Sequence, residues 1–308
     1  MIEKNKESYG INYLNENWGD WGVCSEIGKL RAVLMRRPGK EIDNILDPKS
    51  VSMIEKLDPE LVRKQHDDVV KIYKDNGVKV YYIDEMDEKC PNAMYARDLV
   101  LGTPEGVILA KPGIEVRVPE VKYAAKKITE LGIPIVKTVN GNGVFDGACL
   151  TWIDQKTVFL GTGTRCNKEG FLQVSEELQN LGVKNIYHLS IARNQNHLDG
   201  FLAIADVNIA VTFPYITPNV IYDELLRRKF KIIEIPTFEE KTNLAANFVV
   251  LEPGKIVMPS GNPKTKALLE NEGVEVIEVN VDEIKKGGGA LHCITSFLKR
   301  DPIPIYEI

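Results

Sequence analysis

Near the end of the chain, Gly287-Gly288-Gly289-Ala290-Leu291-His292-Cys293-Ile294-Thr295-Ser296 joins a run of glycines to an imidazole and a thiol. Three successive glycines free the backbone from Cβ sterics, so a chain arriving from a strand can turn sharply and bring the next side chains close to a ligand. The side chain so presented is Cys293. The thiolate is the reactive form of a thiol, and cationic neighbours raise its population, so a cysteine beside a histidine has the components of an activated nucleophile. A lone free cysteine is more often core, so the assignment depends on partners elsewhere. Three further polar stretches offer them: Pro91-Asn92-Ala93-Met94-Tyr95-Ala96-Arg97-Asp98, the glycine-rich Asn140 to Cys149 with its single carboxylate Asp146, and Asn194 to Gly200. In the last of these His197 and Asp199 stand two apart, which in an extended segment puts them on one side. Cysteine, histidine and three carboxylates on converging loops would bind a cation and attack it.

Convergence requires a scaffold that brings distant loops together, and a repeat supplies one. Asp58 to Asp75 has the periodicity of a helix (Leu61, Val69, Val70, Ile72, Tyr73), stops at Asn76-Gly77 and is followed by the strand Val78 to Ile83. The unit of helix, glycine and β-branched strand recurs as Val121 to Leu131, Gly132 and Ile133 to Val136, then as Val174 to Leu181, Gly182 and Val183 to Leu189. It recurs again as Thr265 to Glu272, Gly273 and Val274 to Val279, and a copy lacking the glycine runs from Val220 to Lys229 into Phe230 to Ile235. Between the copies lie β-rich runs at Leu30 to Met35, Val107 to Ala110, Thr157 to Leu160, Ile204 to Thr212 and Asn247 to Leu251. A repeat of about 50 residues containing two or three strands and one helix predicts a five-bladed α/β propeller. A doubly wound sheet also alternates strand and helix, but no GxGxxG opens any of these helices.

Composition bounds the rest. The 308 residues, 44% hydrophobic and 27% charged, make an ordinary globular chain, taken as one catalytic domain over 1–308 with an N-terminal extension at 1–27 that carries Trp18 and Trp21. A net charge of -5 and no lysine–arginine run longer than three argue against nucleic acid as a partner. Five cysteines without CxxC spacing suggest neither a disulfide framework nor a zinc site, which points to a reducing, cytoplasmic compartment. No apolar run approaches the roughly 18 residues of a membrane span, and the first residues lack the apolar core of a signal peptide. His66, in an amphipathic helix, and His188, at a strand end, are expected to be structural. Gly161-Thr162-Gly163-Thr164 lacks the Gly-Lys-Ser/Thr continuation of a phosphate loop.

The ordered motifs Pro-Asn-x-x-aromatic-x-Arg-Asp (91–98), Phe145-Asp146-Gly147, His197-Leu198-Asp199-Gly200 and Gly287-Gly288-Gly289-x-x-His292-Cys293-Ile294-Thr295 resemble the guanidino-modifying enzymes of the pentein superfamily. These comprise arginine and agmatine deiminases, dimethylarginine dimethylaminohydrolases and amidinotransferases. The resemblance covers about residues 28–300 and implies a five-bladed α/β propeller, the architecture the repeat reaches independently. It also implies Cys293 as nucleophile, His197 as general acid and base, Asp98 and Asp199 as the acids gripping a guanidinium, and Asp146 as a further carboxylate at the site. By the same resemblance Arg165 would hold a substrate α-carboxylate and Asn92 would touch the substrate; Tyr95, Arg97 and Asn247 are placed on the substrate wall with them. Two positions depart from the deiminase pattern. Asp146-Gly147-Ala148-Cys149 stands where deiminases commonly have Glu-Gly-Gly-Asp, an Asp at the first position resembling the amidinotransferases, and Lys285-Lys286 stands where arginine deiminases have arginine.

A guanidinium is resonance-stabilised, so an enzyme that attacks it must hold its edges with carboxylates and leave its carbon open to a thiolate. Attack gives a thiouronium on Cys293, and His197 protonates the departing amine. Water resolves the intermediate in a hydrolase; a second amine resolves it in an amidinotransferase. Neither route calls for a cofactor or metal. The expected partner is a small guanidino substrate, arginine or a derivative, and a homo-oligomer is compatible with the sequence. A non-catalytic binding protein on the same fold, as among ribosome-binding factors, is the reading of another class.

Overall fold

The computed structural model describes residues 16–84 and 86–303, so residues 1–15 of the expected N-terminal extension lie outside it. Strand β1 (Leu30–Met35) leads through helix α1 (Pro59–Asp75) to β2 (Lys79–Tyr82). The unit is then repeated with one more strand in front: β3 (Val100–Thr103), β4 (Gly106–Leu109), α2 (Val121–Glu130) and β5 (Ile135–Thr138). Next come β6 (Leu150–Asp154), β7 (Thr157–Thr162), α3 (Lys168–Asn180) and β8 (Asn185–Ser190), followed by β9 (Leu202–Asp206), β10 (Ile209–Thr212), α4 (Asn219–Arg227) and β11 (Lys231–Glu234). After the short helix α5 (Phe238–Thr242) the last full repeat is β12 (Val249–Glu252), β13 (Lys255–Pro259), α6 (Pro263–Asn271) and β14 (Glu275–Val279). Helix α7 (Asp282–Lys285) and β15 (Ser296–Arg300) end the described chain.

Every sheet has three strands, the first antiparallel to the second and the second parallel to the third. The first sheet takes its leading strand from the far end of the chain: β15 pairs antiparallel with β1, and β1 parallel with β2. Five separate sheets, with the last strand completing the first, make the five-bladed α/β propeller expected from the repeat rather than one doubly wound sheet. Leading and middle strands are almost wholly buried, whereas the third strands are mostly exposed or half-buried and form the rim.

Local chemistry explains the helix boundaries. Asp58 caps α1 by accepting from the Glu60 and Leu61 N–H groups, and Asn167 caps α3 by accepting from Gly170. Leu61, expected on the buried face of α1, is 41% exposed, and its neighbour Val62 is buried instead. The chain leaves four of the helices through left-handed glycines, Gly77, Gly132, Gly182 and Gly273. The copy without glycine makes the same turn with Lys229 at φ 61°, at a cost of about 1 kcal/mol. The run Ile204 to Thr212, single in the sequence, is a hairpin that turns at Val207-Asn208. Trp21 meets Tyr81 edge-on at 5.8 Å, while Trp18 is exposed.

Candidate active site

Asp98, Asp146, His197, Asp199, Asn247 and Cys293 fall at equivalent places, just ahead of the leading strand of each sheet, whereas Arg165 follows the middle strand β7. Ala96–Asp98 is a 3-10 turn before β3; Gly147–Cys149, preceded by Asp146, is one before β6; Leu198–Gly200, preceded by His197, is one before β9. Asn247 stands two residues ahead of β12 and Cys293 three ahead of β15. Four of these turns meet at one cavity of about 300 Å³, lined by Asn92, Tyr95, Asp98, Arg117, Arg165, His197, Asp199, Asn247 and Cys293, and the fifth brings Asp146 against His197.

The glycine run enters this cavity from helix α7, not from a strand as its sequence suggested. Only Gly288 uses a left-handed backbone, φ 103°. The other two admit Tyr95: a Cβ on Gly287 would lie 2.1 Å from the tyrosine oxygen and one on Gly289 2.7 Å from its ring. Tyr95 is held there by donating to the Ile284 carbonyl at 2.7 Å, so its hydroxyl is engaged by the protein.

Cys293 Sγ lies 3.2 Å from Asn247 Nδ2 and 3.4 Å from Asp199 Oδ2. Asn247 Oδ1 accepts from the backbone N–H of His292 at 3.0 Å and of Cys293 at 3.3 Å, so Asn247, expected to bind substrate, clamps the loop of the thiol. Burial pushes the Cys293 thiol well up, and the Asp199 and Asp98 carboxylates push it further. The expectation of a cationic neighbour that forms the thiolate is therefore corrected. His292 turns its ring away to Asp199 and Glu26, and the charged group at the sulfur is the Asp199 carboxylate, beside the neutral amide of Asn247.

His197 faces the cavity between two acids. Its Nε2 is 3.0 Å from Asp146 Oδ2 and its Nδ1 is 3.6 Å from Asp98 Oδ1. Burial disfavours its cation, but Asp98, Asp146 and Asp199 outweigh burial and raise its pKa. Asp146 is fully buried beneath it; there burial is opposed by His197, Arg117 and Arg165, which hold its carboxyl below the usual range. Its Oδ1 accepts from the Gly113 N–H at 3.1 Å, and Arg165 Nη1 is 3.5 Å from Oδ2. Asn92 donates to the Val51 carbonyl at 2.6 Å and lines the cavity. Asp98, Asp146 and His197 each offer a ligand atom within 4.8 Å of the others, with Arg117 on Asp98 and Arg165 near Asp146.

One residue departs from its sequence assignment, and another at the site was not assigned. Arg97 does not reach the cavity: it is fully buried, pairs with Glu26 at 3.3 Å and lies 5.0 Å over the Phe297 ring. Its neighbour Asp98 points the other way, because successive residues on a tight turn diverge. Arg117, which no motif marked, lines the cavity, donates to Asp98 through Nη1, to Glu120 through Nε at 2.9 Å and to the Tyr95 carbonyl at 2.9 Å. The only sequence signal was its position three residues before Glu120.

The family model described as N,N dimethylarginine dimethylhydrolase, eukaryotic, matches residues 41–300. The N(G),N(G)-dimethylarginine dimethylaminohydrolase of Pseudomonas aeruginosa is 24% identical over 266 residues, covering 85% of this chain and 97% of that protein. The arginine deiminase of Mycoplasma capricolum is 24% identical over an alignment covering 91% of this chain and 97% of that one. In fold, the chain superposes on the N-terminal domain of ArgZ, a cyanobacterial arginine dihydrolase, with a TM-score of 0.77 at 19% identity, covering 90% of this chain and all of that one. No helix among the described residues is long and apolar enough to cross a membrane.

Proposed function

The chain belongs to the N,N-dimethylarginine dimethylhydrolase family, and from that premise we propose that its cavity hydrolyses a C–N bond in the guanidinium of arginine or an arginine derivative. One observation carries this reading: a thiol, an imidazole and the carboxylates of Asp98 and Asp199 share a single cavity, with Asp146 fixing the imidazole from below. The free site holds a protonated thiol among acids. A guanidinium entering between Asp98 and Asp199 brings positive charge against the sulfur, and the thiol proton leaves to solvent as the cation binds. Substrate binding thus generates the thiolate, and a neutral alkylating reagent meets a slow cysteine in the empty protein.

Sγ then bonds to the guanidinium carbon. His197 gives a proton to the departing nitrogen, whose bond to that carbon breaks, and a thiouronium remains on Cys293. Water attacks the same carbon, its proton passes to His197, and the carbon–sulfur bond breaks to release a ureido product. The test is a panel of arginine, dimethylarginine and agmatine, alone and with amine acceptors, followed by mass spectrometry. Ureido product formed without acceptor supports the hydrolase; an amidino group found only on the acceptor replaces it with a transferase.

Arg165 sets the expected preference within the panel. Its backbone carbonyl accepts from the Asp146 N–H at 2.9 Å, and its side chain lines the cavity with one nitrogen in reach of Asp146, so a substrate carboxylate can meet it. A charge-assisted contact of this type contributes roughly 1.5 to 3 kcal/mol, so kcat/KM for arginine should exceed that for agmatine by about 10- to 100-fold. Arg165→Ala is expected to shrink that ratio by lowering the arginine value most. Equal losses on both substrates with a lowered Tm overturn the carboxylate assignment, leaving Arg165 as a structural partner of Asp146.

A further inference from the structure

Behind the acids that face the cavity runs a buried polar chain that the mechanism leaves without a role. Glu26, in the segment ahead of β1, has Oε1 3.3 Å from Arg97 Nη2 and from the Trp152 backbone N–H, and Oε2 3.3 Å from His292 Nε2. The other nitrogen of His292, Nδ1, is 2.9 Å from Asp199 Oδ2. That oxygen is the one lying 3.4 Å from Cys293 Sγ. An imidazole with a carboxylate on each nitrogen donates from both, which is its protonated form. Charges around it agree: burial and Arg97 oppose the cation, but hydrogen bonds to Asp199 and Glu26 prevail and its pKa is raised. Burial alone would also raise Glu26, yet Arg97, His292 and Arg300 hold it at about 2.

Resting on the reading of Cys293 as nucleophile, we infer that Glu26 and His292 are positioning residues: Glu26 keeps His292 doubly donating, and His292 fixes Asp199 Oδ2 beside the sulfur while offsetting part of its charge. The geometry divides two demands on Asp199. It must stay anionic to hold a guanidinium, and its charge must not keep the neighbouring thiol protonated once the substrate is bound. A fixed imidazolium on the far side of the same oxygen serves both, because it stabilises the carboxylate and lowers the negative potential at Sγ.

The test uses the full chain as wild type, His292→Asn, His292→Phe, Glu26→Gln and the double variant Glu26→Gln/His292→Asn. Two quantities are measured: the pH profile of Cys293 alkylation by iodoacetamide, read from the mass of its peptide, and kcat and KM for arginine. His292→Phe is expected to move the alkylation profile upward by about one pH unit and to lower kcat roughly 10- to 100-fold, with a smaller change in KM. His292→Asn, whose amide can still donate to Asp199, should recover part of both. Glu26→Gln should lower kcat in the His292 protein and add nothing in the His292→Asn background, since it acts through that ring. An unmoved alkylation profile with only a lowered Tm, or a Glu26→Gln effect that adds in full, overturns the inference. Alkylation needs no turnover, so a wild type inert to every guanidino compound counts against the hydrolase while these profiles still decide the positioning role.

Discussion

Replacing Cys293 by serine is expected to abolish turnover of every guanidino substrate while leaving the fold unchanged. The substitution exchanges one atom, and Asn247 Nδ2, 3.2 Å from Sγ, can donate to an oxygen as it does to sulfur, so the turn between α7 and β15 keeps its anchor. Reactivity is a different matter. A bound cation can bring a thiol to its anion near neutral pH, but the same help leaves a serine hydroxyl protonated, and Asp199 and Asp98 penalise an alkoxide further. The residual rate should therefore be below about 1% of wild type, a loss of at least 100-fold and close to 3 kcal/mol in transition-state stabilisation. Steady-state assays beside circular dichroism and Tm decide it: activity above that level in a well-folded variant takes Cys293 out of the nucleophile role.

How much of this was legible in the sequence depends on the range of the contact involved. Helix ends carry their own chemistry, so Gly77, Gly132, Gly182 and Gly273 announced the repeat, and even Lys229 keeps its turn, closed by its own N–H to the Leu226 carbonyl and by that of Phe230 to the Leu225 carbonyl. Once five repeats were counted, the loops ahead of the leading strands had to share one end of the ring, which brings Asp98, His197, Asp199, Asn247 and Cys293 within one cavity. The orientation of side chains within those loops was not legible. Arg97 and Asp98 are neighbours in one motif, yet one turns into the core and the other into the cavity. Nor do Arg117 and Glu26 have any periodic signature, because their partners lie 19 residues away at Asp98 and 266 residues away at His292. The sign of the field at Cys293 failed for the same reason. Adjacency in sequence put a histidine beside the thiol, while the fold puts the carboxylate of Asp199 between them in space.

His197→Ala is the second large effect expected, and it separates the two halves of the reaction. In the folded protein Nε2 of this ring is committed to Asp146, so Nδ1, 3.6 Å from Asp98 Oδ1, is the nitrogen facing the place where a guanidinium would sit. Burial opposes its cation, but Asp98 and Asp146 on either side favour it, so the ring is suited to protonate a departing amine, and losing that proton prepares it to activate water. Alanine removes both steps, and general acid–base catalysis of this type contributes about 10²- to 10⁴-fold. The two losses need not be equal. Attack by Cys293 depends on the cation held by Asp98 and Asp199, which remain, whereas hydrolysis of the thiouronium depends on a water that now has no base. An amine leaving from a tetrahedral adduct can also take its proton from solvent, because the cavity is open to it. The variant should then accumulate the intermediate, read on the Cys293 peptide as a mass increase of arginine less ammonia after incubation with arginine and acid quench, whereas an amidino group alone on that peptide marks the transferase route. Activity within tenfold of wild type removes His197 from both proton transfers, and an adduct on Cys149, Cys166 or another thiol overturns the assignment of the nucleophile itself.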